Sequence, residues 1–242
     1  SRFIEFDNND SGTYEIPSSK TIHLGGILSL GFVVQDNGIT AINSGKITDE
    51  SENRDKWIKE MPTTPGKDYL EIKGPSYDPA RHEETVYKIK RSNDGYVGYK
   101  VALALIQEDA VNGGAIINDA TGVIDFRGER SIGLYTYLPN PFSNKVYSNR
   151  PMTNRGNIFL SGTESYGMKY AATEVAGAVD FVNDSNANIT LRKNPDSTKG
   201  DNADRADNSA AMALMRDDSV KTKVTLTRGK AVNKGNINLE DN

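Results

Sequence analysis

The sequence predicts an all-β protein: a right-handed parallel β-helix, or solenoid, carrying one projecting insertion. Three observations point there: a gapless internal repeat, apolar residues at every second position within each copy, and a near absence of helical periodicity. Residues 122–134, GVIDFRGERSIGL, align without gaps on residues 156–168, GNIFLSGTESYGM. Gly122 falls on Gly156, Ile124 on Ile158, Gly128 on Gly162, Ser131 on Ser165 and Gly133 on Gly167. A third copy is split: NITLRK (188–193) matches the strand half and NSAAMAL (208–214) the turn half, with a polar loop insertion near 192–207 between them. A fourth begins at NKGNINLED (233–241), echoing NRGNIFLSG (154–162).

Each copy reads as a short strand, a glycine turn and a second short strand. Ile158 and Leu160 alternate with Asn157 and Phe159, Gly162 bends the chain, and Met168 and Tyr170 resume the alternation. Strands this short bury no face alone, so successive coils must stack to share a core. Ile124, Phe126, Ile158, Leu160, Ile189, Leu191, Ile237 and Leu239 are the expected inward ladders. The N-terminal stretches fit the same scheme, with Asn43, Asn112 and Asn118 expected in ladders or left-handed turns. The organisation expected is coils over 1–47, a projecting insertion or small subdomain over 48–96, and coils again over 97–242.

Composition narrows the function. The 242 residues carry a net charge of −4 and a pI near 5.4, without the clustered Lys and Arg of a nucleic-acid binder or a polybasic membrane anchor. With no cysteine, disulfides and thiolate metal sites are excluded, which suits a bacterial protein that crosses an envelope unfolded. The longest apolar run, Gly25 to Val34, is about half of the ~20 residues a membrane-spanning helix needs. No signal peptide precedes it, so a fragment of a secreted precursor is expected.

Chemistry finds little material. Ser165 between Gly162 and Gly167 suggests a nucleophile on a sharp turn, but G-x-x-S-x-G is one residue longer than the esterase elbow. The pattern also recurs at Gly128, Ser131 and Gly133, where a second nucleophile has no purpose. Gly128, Ser131, Gly133, Gly162, Ser165 and Gly167 are therefore read as structural turn residues, the glycines supplying unusual φ angles. Two histidines, His23 and His82, are too few for a multi-histidine metal site, and no phosphate loop or dinucleotide fingerprint is present. Asp201, Asp204 and Asp207 lack calcium-loop spacing, and the adjacent Asp217 and Asp218 point to opposite faces of a strand. No catalytic residue, metal ligand or cofactor site is assigned.

The insertion concentrates what the coils lack. It holds charge of both signs, four prolines and the single tryptophan. Trp57, Tyr69, Tyr77 and Arg81 are the candidate partner-binding residues, with Tyr87, Lys67 and Glu83 nearby. Long loops of a solenoid project from the coil edge, where aromatic rings stack on sugars or fill a protein hot spot. The alternative is a small subdomain whose aromatics form its own core.

The coils NRGNIFLSGTESYGMKYAA and GVIDFRGERSIGLYTY resemble the G-x-I-x-[LF]-x-G-x-x-S-x-G-[LMVI]-Y coils of the large fusobacterial outer-membrane autotransporter adhesins of the type V class. The match covers mainly residues 115–242. It departs from the motif at Ala210 and Ala211, which stand for the variable residue and the second glycine. The resemblance implies a β-helical passenger at the cell surface, exported through an outer-membrane barrel. It also implies adhesion to a host-cell or bacterial surface protein or glycan, without cofactor, enzymatic activity or membrane insertion by this segment, as a monomeric fragment of a longer chain. Two other classes share the coil stack: a structural stalk with no binding site, and a polysaccharide-degrading β-helix enzyme with carboxylates converging on one face.

Overall fold

The structure, a computed structural model, describes residues 12–25, 29–34, 38–49, 69–75, 84–90, 100–106, 114–138, 150–172, 180–195, 206–215 and 230–240. Among the described residues, six coils follow one another. The first contains β1 (Gly12–Ile16), β2 (Thr21–His23) and β3 (Ser29–Val34). The second contains β4 (Ile39–Asn43) and β5 (Lys46–Thr48); after a hairpin of β6 (Tyr69–Pro75) and β7 (Glu84–Lys90), it resumes with β8 (Lys100–Ile106). The third has β9 (Ala115–Asn118), β10 (Val123–Phe126) and β11 (Ile132–Leu138), and the fourth β12 (Met152–Asn154), β13 (Asn157–Leu160) and β14 (Tyr166–Ala172). The fifth has β15 (Asp180–Asn183), β16 (Asn188–Leu191) and β17 (Ala210–Met215); the sixth has β18 (Lys230–Asn233) and β19 (Asn236–Leu239).

Strands that occupy the same place in successive coils pair in parallel, which is the signature of a β-helix. Sheet A runs β1-β4-β9-β12-β15-β18, sheet B β2-β5-β10-β13-β16-β19 and sheet C β3-β8-β11-β14-β17. The alignment read from sequence is the observed register: Ile124 opposite Ile158, Ile158 opposite Ile189, and Ile189 opposite Ile237. Ile22 and Ile47 extend that row to the first coil. Between the three sheets lies one apolar column that includes Ile47, Leu103, Phe126, Leu134, Ile158, Met168 and Ile189. Ile237 and Leu239 keep the register but stand 40% and 73% exposed, because no further described coil covers them.

Polar ladders fix the register. Asn43, Asn118, Asn154, Asn183 and Asn233 form one file at the corner between sheets A and B. Each side-chain amide donates to the oxygen of the next, at 2.8, 2.9, 2.9 and 2.8 Å. A two-residue slip between coils keeps inward residues inward but would leave buried amides unsatisfied, so the file penalises misalignment that the apolar column alone tolerates. Asn112 lies outside the described residues.

The corner between sheets B and C corrects the expected role of the glycines. The left-handed position of each turn is filled by Arg130 (φ 50°), Glu164 (φ 54°) and Asn208 (φ 53°), not by glycine. Gly162 is required by proximity instead: a Cβ there would stand 2.2 Å from the Gly128 carbonyl oxygen. Gly133 and Gly167 are likewise crowded, by the carbonyl oxygens of Gly167 and Ala211 at 2.6 and 2.5 Å. The third copy keeps the same corner although Ala210 and Ala211 depart from the motif. Ala210 pairs with Tyr166, and Asn208 and Ser209 keep the turn.

Candidate interaction surface

The serines of the turn were expected to bond locally, and they do more than that. Ser131 and Ser165 are fully buried. The Ser131 backbone N–H donates to Ser165 Oγ at 3.1 Å, and the Ser165 N–H donates to Ser209 Oγ at 2.8 Å. Each hydroxyl in turn donates to a carbonyl of its own turn, Ser131 to Gly128 at 2.9 Å and Ser165 to Thr163 at 3.3 Å. Ser165 is thus enclosed and held by its own coil and its neighbour, an environment suited to a structural serine rather than a nucleophile. Replacing Ser165 with Ala should cost about 1–3 kcal/mol, read as a lower urea midpoint, because the buried N–H of Ser131 loses its acceptor. That is more than a solvent-exposed turn serine would cost.

Where the insertion leaves the stack, sequence reasoning missed a buried carboxylate. Asp49 follows β5 directly and is fully buried. In the fourth coil the Ser161 N–H bonds to the Phe126 carbonyl of the coil before it at 2.9 Å. In the second coil β5 is followed by Asp49, and the Asp49 side chain supplies the acceptors at this place. It takes the Arg127 N–H at 3.0 Å and the Gly128 N–H at 2.9 Å, with the Arg127 guanidinium 4.0 Å away. Arg127 also approaches Asp125 at 3.4 Å, and Asp125 meets Arg192 at 3.2 Å. Substituting Asn for Asp49 turns an NH2 group toward a backbone donor and removes the charge opposite Arg127. The expected loss is about 3–5 kcal/mol in chemical denaturation.

A second apolar layer lies outside the coil on sheet C. Val101, Ala104, Tyr135, Tyr137 and Ala171 are buried there, with Leu30, Val33, Ile106 and Ile132 packed around them. The rings of Tyr135 and Tyr137 stack at 5.9 Å between centroids. Next to them the Lys169 ammonium lies 4.8 Å from the Tyr166 ring centre and 5.8 Å from that of Tyr135. Tyr166 and Lys169 remain partly exposed, so an aromatic ring beside a cation is the chemistry this face presents. The signal was legible in YKVALALI and GLYTYL, where apolar residues occupy both faces of one strand.

The predicted partner-binding residues are placed as follows. Tyr69 begins β6 and pairs with Lys90 of β7, and Tyr87 pairs with Ile72 in the same antiparallel hairpin. Trp57, Tyr77 and Arg81 lie outside the described residues, as do Lys67, Glu83, Asp201, Asp204, Asp217, Asp218 and His82. His23 is exposed on β2, opposite Thr48. Asp207 is exposed in its turn, where its backbone carbonyl accepts the Glu164 N–H at 2.8 Å. Among the described residues, no group of three or more His, Asp and Glu side chains is placed to hold a metal ion.

No family model, curated protein or solved structure matches the chain. Among the described residues, no helix is long and apolar enough to cross a membrane.

Proposed function

We propose that this chain is a segment of a cell-surface adhesin passenger. It attaches the cell to a host-cell or bacterial surface protein or glycan and performs no chemistry of its own. One observation carries the reading: the stack continues through the longest departure from coil spacing. Residues 49–99 intervene between β5 and β8, yet β5 pairs with β2 and β10, and β8 pairs with β3 and β11. An excursion on which the coil register does not depend is free to vary and to carry recognition. The buried serine files support a scaffold over a hydrolase, since their hydroxyls are spent on turn carbonyls and neighbouring N–H groups.

The test replaces residues 51–98 with a short Gly/Ser linker. Beads coated with the intact chain should adhere to cells or to immobilised glycans, and beads coated with the shortened chain should not. Both proteins should give β-sheet circular dichroism, the shortened one lacking only the share of the β6–β7 hairpin, because each coil depends chiefly on its neighbours. Adhesion retained without the segment would move recognition to the coil faces, with the Tyr166–Lys169 surface first in line. No adhesion by the intact chain would leave the stalk as the reading.

A further inference from the structure

Sheet B ends in a polar cluster that belongs neither to the apolar column nor to the turn. Ile124 and Phe126, Ile158 and Leu160, and Ile189 and Leu191 point into the coil. The residues between them, Asp125, Phe159 and Thr190, therefore point away from it, as do the next in line, Arg127, Ser161 and Arg192. The ladder continues past the strand ends, since the Ser161 N–H donates to the Phe126 carbonyl and the Arg192 N–H to the Leu160 carbonyl, both at 2.9 Å. Ser161 thus stands between Arg127 and Arg192, one strand spacing of about 4.8 Å from each. The third and fifth coils enclose it from both sides.

Both arginines lean toward Asp125. Arg127 approaches it at 3.4 Å. Arg192 starts two strands away, beside Ser161, and crosses β13 with its guanidinium 4.3 Å from the Phe159 ring centre to end 3.2 Å from the same carboxylate. The Phe159 ring fixes the plane of the guanidinium and keeps water from that side of it. One carboxylate therefore serves two cations. The other carboxylate of the cluster, Asp49, lies 4.0 Å from Arg127 and is bonded to the backbone N–H groups of Arg127 and Gly128. Arg192 is left with a share of Asp125.

Ser161 is fully buried although it faces outward. Its hydroxyl has no hydrogen-bond partner among the described residues, and neither has the buried Nε of Arg192. The other serines of this corner spend their hydroxyls on turn carbonyls: Ser131 on Gly128, Ser165 on Thr163 and Ser209 on Gly162. The carbonyls that follow Ser161 are engaged, Gly162 by Ser209 and Thr163 by both Ser165 and the Arg130 N–H. What the two buried donors lack is an acceptor, and a buried donor without one is costly to keep. We propose that Ser161 and Arg192 bind one small inorganic anion of chloride size. The Ser161 O–H and the Arg192 Nε–H donate to it, and the guanidinium charge that Asp125 divides between two arginines balances it. Complete enclosure of Ser161 suits a monatomic ion rather than sulfate or phosphate. The Arg192 side chain, 21% exposed, gives the ion its way in from solvent. The inference is independent of the adhesion reading.

The test is urea denaturation of the intact chain in sodium chloride and in sodium gluconate, whose anion is too large for the site, at equal ionic strength. Above the dissociation constant, each tenfold rise in chloride should raise the folding constant about tenfold, while gluconate should leave it unchanged. Ser161→Ala removes one donor without adding bulk and should abolish the difference between the two salts, as should Arg192→Gln. Crystals soaked in sodium bromide should show an anomalous peak beside Ser161 Oγ and Arg192 Nε. Equal stability of the native chain in the two salts would overturn the proposal. So would a chloride effect that survives Ser161→Ala, or bromide-soaked crystals with water and no anomalous peak at that place.

Discussion

Ile158→Asp should unfold the protein or cost it more than about 4 kcal/mol, a large part of the roughly 5–15 kcal/mol that holds a domain together. Ile158 is fully buried in the middle of a file, with Ile124 on one side and Ile189 on the other. A carboxylate there loses its hydration and meets only aliphatic carbon, while two neighbouring coils lose their contact with the isoleucine. The adjacent Phe159 gives the contrast, since it faces outward with the Arg192 guanidinium 4.3 Å from its ring centre. Phe159→Asp should cost about 1 kcal/mol, the loss of that contact. Urea denaturation followed by circular dichroism measures both. Equal effects of the two substitutions would reverse the inward and outward assignment of β13.

Gly162→Ala should cost about 3 kcal/mol or more, although it adds only one methyl group. The new Cβ would lie 2.2, 2.4 and 2.6 Å from the Gly128 oxygen, the Gly128 carbonyl carbon and the Glu129 nitrogen. All three are backbone atoms of the coil beneath, so no side chain can rotate away and the coils themselves must separate. The left-handed positions beside it behave differently. Glu164 already bears the strain of a positive φ, about 1–2 kcal/mol for an L-residue, and it is joined to Arg130 of the coil below by an exposed ion pair. Substitution of Gly162 costing less than about 0.5 kcal/mol in thermal or urea denaturation would mean that the two corners are not in contact.

The repeat was legible because each coil solves the same packing problem with the same residue types. Period-two alternation in NIFL and NITL gave the inward rows, and the offset between copies gave their register. The glycines were found for a reason that turned out to be different. A sequence marks where glycine is needed, but positive φ and close backbone approach leave the same letter, and only the neighbouring coil separates them. Asp49 was hidden because its partners, the N–H groups of Arg127 and Gly128, lie far along the chain and across a register that the insertion interrupts. The outer face of sheet C was visible only as a strand too apolar to have one side in water. The aromatic residues of the insertion stood out by composition, and composition carries no geometry.

One uninterrupted stack joins the coils on either side of residues 49–99. The chain has no cysteine, so Lys46→Cys and Asn236→Cys admit a single pair of spin labels. These positions share one outward row of sheet B, through Val123, Asn157 and Asn188. Four parallel strand spacings of about 4.8 Å separate them, so a double electron–electron resonance measurement should give a single narrow distribution centred near ~19 Å, broadened only by the label arms. A distribution centred beyond about 30 Å, or two separate populations, would contradict the stack, since no continuous file of five adjacent strands spans that distance.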